Sequence, residues 1–406
     1  MGVMTKKLKA VIVSVSVMVA LFILAGALGV KASDKDGAYP QLSVYSEVLQ
    51  RIRSEYVEEP NFQAVKHGAL HGLLESLDAN SSYLSPAEYK KYKEHKETRA
   101  GIGATVSKRF GWAAVVSVIP GSPADRAGLL TGDIIEALEG RSTREMSLAE
   151  IRNTLSGQKG SHVNFSVVRP RRAEPEKMVL QRDEVSFPPV TEKVMENNIG
   201  YVKVTSLTKG KAQEIAGKIS AAQSSGARKL ILDLRNVAEG DTAEGVATAN
   251  LFLDRGTIAY LKGQKYPRED YTADAQKAIT KLPVVVLVNR GTAGPAEIVA
   301  AALLENGRGD VLGEKTFGIG SVQKLIEIND GSAVILSVAK YYSPGGKAIQ
   351  DAAVTPNIVV VDVADVVPET DDDNPNDPKP EAKKPANEKN DEQLQRAIAV
   401  LKNKQA

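Results

Sequence analysis

Residues 120–140 of this chain read PGSPADRAGLLTGDIIEALEG, and this stretch decides the fold of the segment around it. The runs 101–106 and 112–119 before it are rich in β-branched and small apolar residues, which predicts strands. After it, the sequence predicts a helix over 147–156 and a strand over 162–168. Glycines and prolines alone could simply mark turns, but here they punctuate a compact, mostly-β module with one longer helix.

The sequence before this module has helical periodicity. Apolar residues recur at helical spacing over 41–56 and again over 65–77. Residues 85–88, SPAE, supply a capping serine, a proline for the first helical position and a glutamate three residues after the cap. We therefore predict a helical N-terminal region over residues 38–96.

Beyond the module, predicted strands and helices alternate, which indicates an α/β core over residues 185–362. The strands are expected at 199–204, 229–234 and 284–288, and the helices at 211–224, 244–253 and 295–305. Residues 363–390 are rich in charge and proline, which predicts a disordered linker. Residues 391–403 then form a short amphipathic helix that could dock on the core or on a partner.

The amino terminus predicts export. Three lysines between residues 6 and 9 precede an uncharged apolar run over 10–30, which is long enough to cross a bilayer. We favour an uncleaved inner-membrane anchor within residues 1–32. The alternative is a signal segment cleaved near Ala32, with secretion of the rest. In both cases the remaining chain lies outside the cytoplasm, as in a periplasm.

Composition excludes several classes of function. The 52 basic and 50 acidic residues leave a net charge of +2, so no nucleic-acid partner is indicated. The chain has no cysteine, which excludes disulfides, thiolate metal sites and cysteine nucleophiles. His67, His71 and Glu75 share a helical face and could seat a metal, but a packing or solvated face is the simpler interpretation. We expect no metal and no cofactor.

The module over residues 97–184 resembles a PDZ domain. The match rests on the 120–140 stretch and on Gly101, Ile102, Gly103 and Ala104, which stand where that family places its carboxylate-binding loop. In PDZ domains the backbone N–H groups of this loop hold a peptide C-terminal carboxylate, and the peptide adds as a strand beside it. The resemblance implies that this module binds protein C-termini. Trp112 is expected to pack within the module.

The chain as a whole resembles the carboxyl-terminal processing (tail-specific) serine peptidases. Matching blocks occur in family order at 76–86, 120–140, 230–236, 287–293, 313–323, 342–350 and 354–360. The resemblance implies an α/β peptidase core with an inserted mostly-β PDZ domain and an N-terminal helical segment. It also implies an exported endopeptidase with a Ser–Lys dyad, and a homodimer formed through its helical ends.

The two dyad positions do not carry the residues that the chemistry needs. A serine hydroxyl needs an adjacent base, and a lysine can be that base only when it is neutral. The family's serine segment appears here as GTAGPAEI (residues 291–298), with Gly294 at the serine position. Its lysine segment appears as FGIGSVQ (residues 317–323), with Ile319 at the lysine position and the supporting glutamine retained as Gln323.

These replacements suit the fold. Glycine before Pro295 is a sound helix start, and an isoleucine removes the cost of burying an amine. The resemblance assigns an oxyanion role to residues 236–240, where Glu239 stands in place of a glycine. A carboxylate beside that site is expected to oppose a developing negative charge.

Three functions remain open from the sequence. The first is a non-catalytic pseudopeptidase that captures C-termini, alone or paired with an active relative. The alternative is an active serine endopeptidase with a relocated nucleophile. The third is that the PDZ groove binds nothing and the chain serves only as part of an assembly. Nearby candidates for a relocated pair are Thr292, Ser321, Lys315 and Lys324, although Lys324 is expected on the strand face opposite Gln323.

Overall fold

The computed structural model describes residues 39–95, 100–169, 174–350, 352–361 and 391–404. The predicted anchor over 10–30 and the predicted linker over 363–390 lie outside these residues. Within the described ranges, no helix is long and apolar enough to cross a membrane. The chain divides into two compact units, residues 1–66 and 67–406.

The first unit contains helix α1 (Tyr39–Glu55), and helix α2 (Phe62–Glu75) begins within it. Most apolar side chains described in α1 are exposed, among them Leu42, Val48 and Leu49, whereas Ile52 is half-buried. Near its C-terminal end, Arg51 bonds Glu55 at 2.8 Å across one helical turn, a contact that supports an exposed helix only modestly.

The second unit starts within α2 and continues through a short strand, β1 (Ser82–Leu84), and helix α3 (Pro86–His95). The predicted capping box is present. The Ser85 N–H donates to the Glu88 carboxylate at 2.7 Å, and the Glu88 N–H donates to the Ser85 hydroxyl at 3.4 Å. Strand β1 was not predicted, because residues 76–86 are rich in turn-forming residues.

The PDZ-like module has a six-stranded sheet in the order β3-β4-β5-β7-β8, with β6 added to β5, so β3 is an edge strand. Its strands are β2 (Ala100–Gly101), β3 (Ala104–Arg109), β4 (Trp112–Val118), β5 (Ile134–Leu138), β6 (Arg141–Ser142), β7 (His162–Val168), β8 (Glu176–Gln181) and β9 (Asp183–Glu184). Helix α4 (Pro123–Arg126) follows the turn after β4, and helix α5 (Leu148–Leu155) buries Leu148, Ile151 and Leu155 against the sheet. The predicted helix and strands therefore form one core of their own.

The α/β core contains a six-stranded sheet in the order β10-β11-β12-β15-β16-β19. Its strands are β10 (Thr191–Met195), β11 (Ile199–Lys203), β12 (Lys229–Asp233), β15 (Val284–Val288), β16 (Asp310–Gly313) and β19 (Ile358–Val359). Only β10 is antiparallel; the other pairs are parallel, an arrangement that suits the predicted α/β core. All five residues of β15 are buried, which a strand covered on both faces requires.

Three helices connect these strands and cover one face of the sheet: α6 (Lys211–Ser224), α7 (Thr242–Asn250) and α8 (Pro295–Glu305). A second sheet has the order β1-β18-β13-β14, with β17 added to β18. Its further strands are β13 (Thr257–Lys262), β14 (Glu269–Thr272), β17 (Ser321–Glu327) and β18 (Ala333–Tyr342). Single-turn 3₁₀ helices lie at Thr143–Glu145, Glu196–Asn198 and Ala275–Lys277.

The last helix, α9 (Glu392–Lys402), packs on the other face of the six-stranded sheet. Its buried residues include Leu394, Ala397 and Leu401. An ion-pair network fixes its start, because Arg235 bonds both Asp233 at the end of β12 and Asp391 at the helix N-cap. Of the two docking alternatives left open by the sequence, the structure has the helix on the core.

Arg235→Ala is expected to lower the free energy of unfolding by about 3 kcal/mol, because it removes the guanidinium that donates to both oxygens of a fully buried carboxylate. Burial disfavours the charge of Asp233, but Lys203 and Arg235 hold its pKa below the ordinary range. Urea unfolding measures the loss, and proteolysis within residues 391–404 reports release of α9. Lys203→Ala removes a more exposed partner of the same carboxylate, 3.4 Å away, and should cost less than about 1 kcal/mol.

Candidate functional site

Gly294 occupies the sharp turn between β15 and α8, where the family's serine would stand. It is the N-cap of α8 with φ 60° and ψ −122°, followed by Pro295 in the first turn, as predicted. This backbone region disfavours residues with a side chain, and enzymes accept such strain where a turn must present a nucleophile. A Cβ added here would meet only the Ala238 carbonyl oxygen, at 3.7 Å. The turn therefore keeps the shape and space for a side chain that the sequence does not supply.

Glu297 joins the two dyad positions, and the sequence analysis missed it. One carboxylate oxygen accepts from the Gly294 N–H at 2.9 Å and from the Ile319 N–H at 2.8 Å. The other accepts from the Gly318 N–H at 2.8 Å and from the Thr316 hydroxyl. The helix start and the loop before β17 are thus fixed to each other by one fully buried side chain.

Burial raises the pKa of Glu297 to about 7, even though Thr316 and the three backbone N–H groups favour its charged form. Because its oxygens accept hydrogen bonds from four donors, this carboxyl group has a structural role and holds the loop in place. The signal that could have revealed it is its place three residues after an N-cap, where a glutamate commonly bonds back to the cap.

Ile319 stands at the lysine position and is half-buried. Its loop also meets the PDZ-like module, because the Arg109 guanidinium lies over the Phe317 ring at 5.3 Å. The structure therefore brings Gly294 and Ile319 together, and the loop that carries Ile319 contacts that module. Neither side chain offers a hydroxyl or an amine.

Gln323, at the third family position, is exposed, and its side chain bonds residues other than Gly294 and Ile319. Its amide nitrogen donates to the Ser321 hydroxyl at 2.7 Å and to the Ser337 hydroxyl at 3.3 Å. Asn80 donates to the same Ser321 oxygen at 3.1 Å, and Asp78 accepts from Ser337 at 3.1 Å. Gln323 is thus part of a polar network that links residues 78–81 to β17 and β18.

The loop over 236–240 does not match the expectation for Glu239. We expected its carboxylate beside the anion site, but Oε1 accepts a hydrogen bond of 2.6 Å from the Thr105 hydroxyl on β3. The group nearest a side chain at Gly294 is the Ala238 carbonyl oxygen. A carbonyl oxygen in that place repels a developing oxyanion, which requires N–H donors.

The candidates for a relocated nucleophile are engaged in other contacts. The Thr292 hydroxyl is buried, donates to the Leu234 carbonyl at 2.9 Å and accepts from the Asn289 N–H at 3.0 Å. Ser321 accepts from two amides, as described above. Lys315 and Lys324 are both exposed, so neither has the desolvated surroundings that a neutral lysine needs.

The predicted carboxylate-binding loop, Gly101 to Ala104, lies between β2 and β3. The Ile102 carbonyl accepts from the Ala124 N–H at 2.8 Å, and the Gly103 carbonyl accepts from the Ile119 N–H at 2.9 Å. Because a peptide unit is planar and trans, the N–H groups of the next residues, Gly103 and Ala104, point the opposite way. Two N–H groups thus face away from residues 119–124, the arrangement that a carboxylate nest uses.

The edge of β3 and helix α5 form the walls of the groove beside this loop. Arg152 of α5 crosses it and donates to the Val106 carbonyl of β3 at 3.1 Å. Behind α5 is a cavity of about 300 Å³ between the helix and the network around Gln323. Its lining includes Asn80, Tyr92, Ala149, Arg152, Asn153 and Ser156. Arg152 was not singled out from the sequence.

The histidine face of α2 makes polar contacts. His67 contacts Glu88 at 3.3 Å and His71 contacts Glu75 at 3.6 Å, so the three residues considered as ligands do not converge. Burial lowers the pKa of His71, and its second ring nitrogen is buried without a partner. Within the described part of the chain, no group of His, Asp or Glu side chains could hold a metal ion.

Comparison with known families agrees with this architecture. The model of Peptidase family S41 matches residues 198–360, and the model of the PDZ domain matches residues 115–169. The solved photosystem II D1 C-terminal processing protease superposes with a TM-score of 0.66 at 27% identity, covering 78% of this chain and 86% of that one. The predicted fold, an α/β peptidase core with an inserted PDZ domain and an N-terminal helical segment, is confirmed.

Curated relatives extend the match along most of the chain. Carboxy-terminal processing protease CtpA of Bacillus subtilis is 34% identical over 333 residues, which cover 80% of this chain and 70% of that protein. A carboxyl-terminal-processing protease of a Picosynechococcus species is 34% identical over 321 residues, covering 76% of each chain. A carboxy-terminal-processing protease of Bartonella bacilliformis is 30% identical over 342 residues, covering 82% of this chain and 78% of that one. The chain therefore belongs to peptidase family S41, among the carboxyl-terminal processing serine proteases with a PDZ domain.

Proposed function

We propose that this chain is a catalytically degenerate member of its family, a pseudopeptidase that binds protein C-termini without cleaving them. The observation that carries the proposal is the pair of residues held by Glu297. Gly294 stands at the nucleophile's turn and Ile319 stands at the base's position. Acyl transfer to a serine needs both a hydroxyl and a base, and this pair supplies neither.

A hydrolysis assay tests the absence of catalysis. The purified full-length chain in mild detergent is expected to hydrolyse casein and a C-terminally tagged protein no faster than a blank reaction without the chain. Turnover that Ser321→Ala or Thr292→Ala abolishes would overturn the proposal and support the alternative, an active peptidase with a relocated nucleophile. The contacts of Thr292 argue against that alternative, because its hydroxyl already donates to a carbonyl.

Retention of the PDZ groove supports the binding half of the proposal. The loop from Gly101 to Ala104 keeps its carbonyls turned towards residues 119–124, which leaves N–H groups for a carboxylate. A peptide with a free C-terminus is therefore expected to bind more tightly than its amidated copy. Fluorescence anisotropy with both peptides measures the difference.

Gly103→Ala is expected to weaken binding of the free-carboxylate peptide by at least about tenfold. Gly103 has φ 78°, and a Cβ there would lie 2.2 Å from the Ser122 Cβ, so the loop must shift. Gly121→Ala is the matched control, because Gly121 has φ 77° but open space around the added atom. Unchanged affinity in Gly103→Ala would show that the carboxylate binds elsewhere.

The remaining parts of the proposal concern location and assembly. The apolar run over 10–30 would anchor the chain in the inner membrane, with the domains from residue 38 onward outside the cytoplasm. We propose that the chain forms a homodimer or pairs with an active relative, and only the second assembly would place its PDZ groove beside a working catalytic site. We propose the boundaries given above for these domains, 38–96, 97–184, 185–362 and 391–403.

A further inference from the structure

Glu239 connects the core to one wall of the peptide groove. It lies in the loop that faces Gly294, and its carboxylate accepts a 2.6 Å hydrogen bond from the Thr105 hydroxyl on β3. Thr105 is itself buried, and β3 is the edge strand beside which a peptide adds in a PDZ domain. A hydrogen bond from a hydroxyl to a carboxylate at this distance is among the stronger polar contacts in proteins.

Arg152, an exposed residue on the opposite wall, contacts the same strand. Its guanidinium donates to the Val106 carbonyl, next to Thr105 on β3, and the Glu239 carboxylate favours the charged form of that guanidinium. Glu239 from the core and Arg152 from the other wall of the groove therefore bond neighbouring residues of β3.

We propose that Glu239 is an internal competitor at the rim of the PDZ groove, and that the groove selects C-terminal segments with an acidic side chain that replaces it. The inference rests on the proposed binding of C-termini and adds the ligand's chemistry. The Thr105 hydroxyl and the Arg152 guanidinium are donors suited to a carboxylate. A glutamate or aspartate a few residues before the peptide's end would satisfy both after Glu239 leaves.

The contact needs a side chain at position 239, because the glycine that the family resemblance implies there could not reach β3. The Glu239 side chain therefore supplies a contact between the loop over 236–240 and the groove. Ligand binding would break the contact between Glu239 and β3, while the Thr131 hydroxyl still donates to Asn236 of the same loop at 3.4 Å, so this hydrogen bond is one of the contacts that couple the two regions.

The experiment compares two peptides that differ only by Glu or Gln within the last four residues, both with free C-termini. Their affinities are measured by anisotropy for the full-length wild type, Glu239→Ala and Glu239→Gln. Asp241→Ala is the matched control, since Asp241 is an exposed acid two residues away whose side chain makes no capping bond. Thermal unfolding of each variant reports whether its fold is retained.

Glu239→Ala is expected to bind the acidic peptide about tenfold more tightly than the wild type does, and to favour it over the Gln peptide. Glu239→Gln, which keeps the shape but not the charge, should show a smaller gain. Asp241→Ala should match the wild type. Equal affinities of wild type and Glu239→Ala, or no preference for the acidic peptide in Glu239→Ala, would overturn the inference.

The outcomes also separate this inference from the proposed function. If binding requires a free C-terminus but its affinity is unchanged in Glu239→Ala, the proposed function is supported and the inference about Glu239 is wrong. If no protein binds the free-carboxylate peptides better than amidated ones, the proposed function fails and this inference fails with it.

Discussion

The double variant Gly294→Ser/Ile319→Lys is expected to cleave a C-terminally tagged protein at least about 100-fold faster than the wild-type chain. The turn at Gly294 already has the strained geometry of a nucleophile's turn, with open space at the Cβ position. Glu297 holds both backbone positions through a single oxygen atom. A serine and a lysine placed there would therefore meet on a preformed scaffold.

Each single variant should cleave the tagged protein no faster than the wild-type chain, because a serine without a base and a lysine without a nucleophile are both inert. Gly294→Ser also places a side chain at φ 60°, which should lower the free energy of unfolding by about 1–3 kcal/mol. Gly294→Ala/Ile319→Lys is the matched control, since it carries the same strain and the same lysine without the hydroxyl.

A double variant no faster than that control would contradict the prediction. The obstacle would then be the loop over 236–240, where the Ala238 carbonyl faces the position of the serine side chain. Adding Glu239→Gly would test this, because it removes the contact that holds the loop against Thr105. Initial rates of release of the tagged fragment decide between these results.

Local signals predicted much of the fold. The capping box at Ser85 and Glu88 and the helix start at Gly294 are short-range patterns, and the structure has both. The α/β core was predicted from the alternation of strands and helices, and the structure adds that most of its strands are parallel. Gly294 and Ile319 could also be assigned to the two dyad positions from the sequence, because the identity of a residue does not depend on the fold.

The partners of the remaining polar groups could not be predicted, because they come from distant parts of the chain. Glu297 bonds residues 19 to 22 positions further along the chain, and Glu239 bonds Thr105 in the PDZ domain. Arg235 meets Asp391 only because α9 packs on the sheet. Sequence periodicity shows that such groups are present, but tertiary packing decides which donor each carboxylate meets.

Glu297→Ala is expected to lower the free energy of unfolding by about 4 kcal/mol at pH 5. The substitution leaves three backbone N–H groups and the Thr316 hydroxyl without their acceptor, in a site that water does not reach. It also opens a space at the start of α8. Glu305→Ala at the other end of α8 is the matched control. Its side chain is exposed and bonds the Gly345 N–H, so the cost should stay below about 1 kcal/mol.

The difference between wild type and Glu297→Ala should narrow as the pH rises. The pKa of Glu297 is about 7 in the folded chain against 4.5 for an ordinary glutamate, so the folded state binds this proton more tightly. The resulting stabilisation is complete below about pH 4.5 and is lost as the pH rises through 7. Its full size is about 3 kcal/mol. Urea unfolding of both proteins at pH 5, 6.5 and 8 measures it, and a gap that widens with pH would show that the four donors keep Glu297 charged throughout.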